Sequence, residues 1–267
     1  MPWFDHQHFR LHYVDRGERT PFIFQHGLGG STDQTNGLFP GTPGVRFLSL
    51  DCRSHGESEP AAQPEDLRFS LMADDIVAWM DHLVLKDVVL GGISMGAGIA
   101  LNLTLRYPDR VRGLLLSRPA WLDGLMEARQ LYFEVAALIR SKGIAEGQRA
   151  FLASSSYARL RLESPDAANS LLGQFQAPRA RERVSRLEQM PRDTPHPDRK
   201  QWAALKVPTL VLATDRDPIH PLRLARALAE TIPDAEFRQV TPKSIDVALH
   251  VREVQLAVGN WLRAFRS

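Results

Sequence analysis

Short, nearly continuous apolar runs rich in β-branched residues recur along the chain. They are FIF at 22–24, VRFLSL at 45–50, DVVLGG at 87–92, VRGLLLS at 111–117 and VPTLVLAT at 207–214. Each is bounded by glycine, proline or charge, the pattern of strands buried on both faces. Helical patterns lie between them. In LMADDIVAWMDHLVL, Met72, Ile76, Met80 and Leu83 recur at spacings of three and four. The stretch from Gly96 to Tyr107 is apolar and stops before Pro108, where a helix should end. PLRLARALAETIPDA and the tail VREVQLAVGNWLRAF read the same way. Strands alternating with helices predict an α/β fold, a mostly parallel sheet covered on both faces. The first segment differs. Phe9, Leu11 and Tyr13 alternate with polar residues and Arg16-Gly17 reads as a turn, which predicts a hairpin entering antiparallel.

From about Trp121 to Trp202 no buried strand pattern appears and helical segments dominate. This predicts a core of residues 1–120 and 203–267 with a helical insertion at 121–202. Residues 140–200 hold 12 basic and 7 acidic side chains. A solvated helical surface accounts for that excess, and a mildly basic cap favouring anionic substrates is the sharper alternative. Trp121, Tyr132, Phe133, Phe151 and Tyr157 are candidates to line a pocket, although such residues are more often core.

Composition narrows the setting. A chain of 267 residues that is 43% hydrophobic can bury a large core. The net charge of +2, from 33 basic and 31 acidic residues, gives no reason to expect nucleic acid or a membrane as partner. One cysteine, Cys52, excludes an intrachain disulfide. No secretory signal and no run long enough to span a bilayer is visible. A cytoplasmic protein acting on a small molecule is the expectation, with the oligomeric state open. No histidine or cysteine spacing suggests a metal, and no dinucleotide fingerprint follows a strand; no cofactor is expected.

The chemistry is concentrated in three motifs. GGISMGAG at 91–98 contains Gly92-Ile93-Ser94-Met95-Gly96, between a strand pattern and a helix pattern. That is the setting of a nucleophile elbow, in which a tight strand-to-helix turn exposes the serine Oγ. His26-Gly27-Leu28-Gly29-Gly30 follows the strand FIFQ. Acyl transfer needs two donors already aimed at the developing oxyanion; the backbone N–H groups of Met95 and Leu28 are the candidates, with His26 bracing the loop. The third motif is DCRSHGES at 51–58.

In this order and spacing the three motifs resemble the α/β-hydrolase superfamily over essentially the whole chain. DCRSHGES is similar to the family's D-x-R-G-x-G-x-S turn, with Ser54 in place of a glycine. The resemblance implies an eight-stranded sheet, a cap after the sixth strand, and a serine–acid–histidine triad in that chain order. The acid implied is Asp217, just before Pro218-Ile219-His220-Pro221, with Asp215 second. The family's Gly-His pair after the last strand is absent; Lys243 and Ser244 stand there, and the histidine that follows is His250. Three readings of the base stay open: His250 through a shifted loop, another group such as Lys243 or His220, or a broken triad. The triad expected is Ser94, Asp217 and His250. The resemblance implies a serine hydrolase of an ester, thioester, lactone or related acyl bond. Serine rather than aspartate at the elbow argues against dehalogenase or epoxide hydrolase chemistry. The alternatives are a carbon–carbon bond hydrolase and a non-catalytic ligand binder of hydrolase fold.

Overall fold

The computed structural model describes residues 2–39, 41–61, 63–196 and 198–265. Residues 1, 266 and 267, at the ends of the expected core, lie outside them. Eight strands form one sheet: β1 (Trp3–His6), β2 (Phe9–Arg16), β3 (Thr20–Gln25), β4 (Val45–Leu50), β5 (Val88–Ile93), β6 (Val111–Ser117), β7 (Thr209–Ala213) and β8 (Glu236–Gln239). Their order is β1-β2-β4-β3-β5-β6-β7-β8. β1 and β2 enter antiparallel and every pair from β4 onward is parallel. The expected apolar runs are the strands. Along β6, Leu114 and Leu116 face one core and Leu115 the other, as a strand covered on both faces requires.

The expected hairpin across Arg16-Gly17 does not form. β2 pairs with β1 and with β4, and β4 lies between β2 and β3. Alternation in a strand marks one drier and one wetter face but does not name the partner strand. Here the chain returns from β3 through α1 (Thr32–Leu38) to lay β4 against β3, and β2 takes the far edge of β4.

Helices cover both faces. α2 (Phe69–His82), α3 (Met95–Arg106) and α9 (Leu222–Thr231) bury apolar residues against one face; α1 and α10 (Val247–Leu262) flank the other. The sheet grows outward in both directions from β3 and β5: the chain leaves β3 toward β4 and leaves β5 toward β6. Ligand crevices in open α/β sheets form at such a reversal, beyond the carboxyl ends of the strands. The register pairs Gln25 with Gly92, so the loops at His26 and Ser94 emerge side by side there.

Between β6 and β7 the described residues hold helices only: α4 (Arg129–Leu152), α5 (Ser155–Glu163), α6 (Pro165–Gln176), α7 (Arg186–Gln189) and α8 (Arg199–Trp202). A wholly solvated basic surface is not what they present. Arg183 and Arg186 are buried and donate to the carbonyls of Gly56, Ser58 and Ser54. These guanidinium groups fasten the helical segment to the turn after β4. No described helix is long and apolar enough to cross a membrane.

Candidate active site

Ser94 stands between β5 and α3 with φ 57° and ψ −111°. A non-glycine residue held there costs on the order of 1–3 kcal/mol, which only a rigid surround sustains. The surround is in place. Ser94 N–H donates to Ser117 O at 3.0 Å, and its own carbonyl accepts from the N–H groups of Ala97 and Gly98. Two glycines permit the close approach: a Cβ on Gly92 would lie 2.2 Å from the Gly96 backbone, and one on Gly96 would lie 2.3 Å from Gln25 O.

The HGLGG loop runs alongside. A Cβ on Gly27 would be 3.4 Å from Ser94 Cβ, and Leu28 lines the same pocket as Ser94. Met95 opens α3, so its N–H has no carbonyl within the helix to reach. His26 is buried; its Nδ1–H donates to Gly27 O at 2.9 Å and its Nε2 accepts from Cys52 N–H at 3.0 Å. Burial lowers its pKa, keeping the ring neutral. It thus pins the loop after β3 to the turn after β4. In that turn Ser54 replaces the family's glycine and sits at φ 63°. Its Oγ accepts from Ala61 N–H at 2.7 Å and its carbonyl from Arg186. Those bonds offset a left-handed serine.

Two groups from one turn meet Ser94. His220 Nε2 lies 2.8 Å from Ser94 Oγ, and His220 Nδ1 lies 2.9 Å from Asp217 Oδ2. The other contact of Nδ1, to Arg118 Nη2, is longer at 3.5 Å. The shorter contact makes Nδ1 the donor to the carboxylate and leaves Nε2 to accept from the serine hydroxyl. Asp217 is 8% exposed. Its Oδ1 accepts from the N–H groups of Ile219 and His220, both at 3.1 Å, and its Oδ2 also accepts from Arg118. Burial alone would push the Asp217 carboxyl up; His220 first, and then Arg118, pull it far below the usual range by charge and hydrogen bonds. Burial lowers the pKa of His220, with Asp217 opposing and Arg118 reinforcing that shift. Asp215 is half-buried, and no hydrogen bond of its carboxylate to another described residue is recorded.

The expected place of the base therefore needs correction. His250 does not meet Ser94 or Asp217 through any hydrogen bond among the described residues. It sits in the first turn of α10, is 2% exposed, and donates from Nδ1 to Thr241 O at 2.8 Å. Asp246 caps this helix start, accepting from Leu249 N–H at 2.9 Å and, through its carbonyl, from His250 N–H at 3.0 Å. Moving the ring toward Ser94 would break the turn that holds it. The sequence offered His220 as a candidate, three residues beyond Asp217 and past the carboxyl end of β7, without marking it above His250. Lys243, where the family places its histidine, lines the pocket beside Ser94.

That pocket has a volume of about 300 Å³ and lies between the core and the helical segment, with Gly27, Leu28, Ser94 and His220 on one side and Tyr132 and Asn169 on the other. Of the five candidate aromatics, Tyr132 lines it. Trp121 packs edge-on against Phe69, Phe151 against Tyr157 and Phe175, and Phe133 lies under the Arg192 guanidinium. No cluster of metal-ligating side chains occurs among the described residues.

Comparison with known proteins identifies the family. The chain is 36% identical over 126 residues to the dihydrolipoyllysine-residue acetyltransferase component of the acetoin cleaving system of Pseudomonas putida, covering 46% of this chain and 33% of that protein. It thus spans a third of that relative's length. It is 27% identical over 249 residues to the AB hydrolase superfamily protein YisY of Bacillus subtilis (strain 168), covering 86% of this chain and 87% of that one. The fold superposes with a TM-score of 0.73 on a thermophilic esterase from Thermogutta terrifontis, 26% identical, covering 97% of this chain and 95% of that one. A sequence model of the alpha/beta hydrolase fold matches residues 20–250, and with most of its length so matched the chain belongs to the α/β-hydrolase fold family.

Proposed function

We propose that the protein is a serine hydrolase that cleaves an ester, thioester, lactone or related acyl bond of a small organic substrate. The observation that carries this reading is the unbroken chain of contacts from Ser94 Oγ through His220 to Asp217. A serine hydroxyl is a weak nucleophile until a base takes its proton. His220 is aimed to do so from Nε2, and Asp217 holds the ring in the required tautomer and stabilises the imidazolium. Ser94 attacks the carbonyl and the N–H groups of Leu28 and Met95 hold the oxyanion. His220 returns its proton to the leaving group, and water then releases the acid from the acyl-enzyme by the same steps. The family membership and the likeness to an esterase support the reading. The helices between β6 and β7 act in it as a cap: Tyr132 of α4 and Asn169 of α6 face the nucleophile across the pocket.

The test is labelling with a fluorophosphonate, followed by peptide mapping. Ser94 should carry the label, and Ser94→Ala should fold normally, take no label and lose ester hydrolysis by about 10⁴-fold or more. A folded wild-type protein that neither labels nor hydrolyses activated esters would return the chain to the class of ligand binders.

A further inference from the structure

Lys243 is the cation of this pocket with no carboxylate of its own. The carboxylates nearest to it in charge effect, Asp166 and Asp217, both bind Arg118. Among the described residues Lys243 has no recorded ion pair or hydrogen bond through its ammonium, although it is half-buried and lines the wall beside Ser94 and His220. Holding a charge partly out of water without a partner is unfavourable. Burial and the Arg118 guanidinium both press the ammonium's pKa down, and Asp166 and Asp217 oppose them. A half-buried ammonium kept unpaired in a substrate pocket is poised for a charge that arrives with the substrate. The β8–α10 loop is free for this task because the turn after β7 supplies the histidine at Ser94. Exposed Asn169 and Ser170 of α6 line the same pocket, as does Asp166, whose charge Arg118 offsets.

Resting on the hydrolase reading above, we propose that Lys243 receives a carboxylate of the substrate remote from the scissile carbonyl, so that the preferred substrates are anionic acyl compounds. Arg118 cannot take this part without releasing Asp217 and Asp166.

Matched ester pairs test this. Mono-para-nitrophenyl succinate against para-nitrophenyl butyrate places the charge on the acyl side; para-acetoxybenzoate against its methyl ester places it on the alcohol side. The wild type should prefer the anionic member of at least one pair in kcat/KM. Lys243→Gln should lower that preference by about tenfold to a hundredfold, the scale of a hydrogen bond to a charged group. Lys243→Arg should retain most of it, and added salt should erode it. A second readout needs no turnover: glutarate should protect Ser94 from fluorophosphonate better than glutaramide in the wild type, but not in Lys243→Gln. The inference is overturned by labelled enzyme that shows no anion preference in either pair, or by a preference and protection that Lys243→Gln leaves in place. A wild type whose Ser94 takes no label and that cleaves no ester brings down the hydrolase reading itself, and this inference with it.

Discussion

The segments that leave the carboxyl ends of β7 and β8, parallel neighbours in the sheet, each bring in a histidine, yet only one of these rings reaches the serine. After β7, Asp217 Oδ1 caps its own turn by accepting the N–H groups of Ile219 and His220, and this curl returns His220 Nδ1 to Oδ2 of the same carboxylate. Aspartate favours this turn because its side chain reaches backbone groups two and three residues on. Carboxylate and imidazole are thus placed by one short segment. After β8 the polar capping groups serve a helix instead: Asp246 starts α10, and His250 ties that start to Thr241. The difference teaches that a histidine and a carboxylate are brought to a serine by reach and orientation, which position along the chain does not decide.

The sharpest way to break this comparison is to remove each ring in turn. His220→Ala should lower kcat/KM by about 10⁴-fold or more, close to the loss from Ser94→Ala, because the two act as a unit. His250→Ala should change kcat/KM by less than about tenfold. It should instead lower stability by about 1–3 kcal/mol, since the half-buried Thr241 carbonyl loses its donor and a buried ring is removed from α10. Measuring rate and thermal midpoint on both variants separates them; a reversed pattern returns the base to His250. The acid gives the next largest effect. Asp217→Asn should cost about 10⁴-fold or somewhat less, and Asp215→Asn far less, because its carboxylate is not in the chain of contacts. Equal losses would show that the turn as a whole, rather than the Asp217 carboxylate, orients the ring.

The sheet was legible because continuous apolar runs bounded by breakers have few other uses. Ser94 was legible because its glycines answer a steric demand that the structure displays at Gly92 and Gly96. What the sequence did not carry was which strand β2 would pair with, and which histidine would be aimed at Ser94. His220 and His250 are both plausible as residues in a string. The choice depends on the direction of a ring at the end of a turn, and on Asp217 accepting backbone N–H groups nearby. The basic excess at 140–200 was visible as charge but not as architecture: Arg183 and Arg186 could be recognised as fasteners only once the carbonyls of the turn after β4 were in place around them.

The smallest expected effect concerns Arg118, which shares Asp217 Oδ2 with His220. The charged groups that act on His220 are Asp217, Arg118 and Asp166; burial lowers its pKa most, Asp217 and Asp166 raise it, and Arg118 lowers it. In the proposed mechanism the neutral ring is the base, so kcat/KM should fall as pH drops through the His220 pKa, and the midpoint should lie below the ordinary histidine value of about 6.5. Arg118→Met keeps much of the bulk and removes the guanidinium. One depressing charge is then gone, and Asp217 no longer divides Oδ2 between two cations. Both changes stabilise the imidazolium, so the acid limb of the profile should move to higher pH. Asp217 stays ionised throughout, because His220 and two backbone N–H groups still hold its charge. The check is kcat/KM against pH for both proteins, with circular dichroism showing that the variant is folded. A limb that stayed in place or moved to lower pH would mean that Arg118 acts on the fold alone. A limb that moved up would show that the turn after β7 sets not only where the base stands but also how strongly it holds its proton.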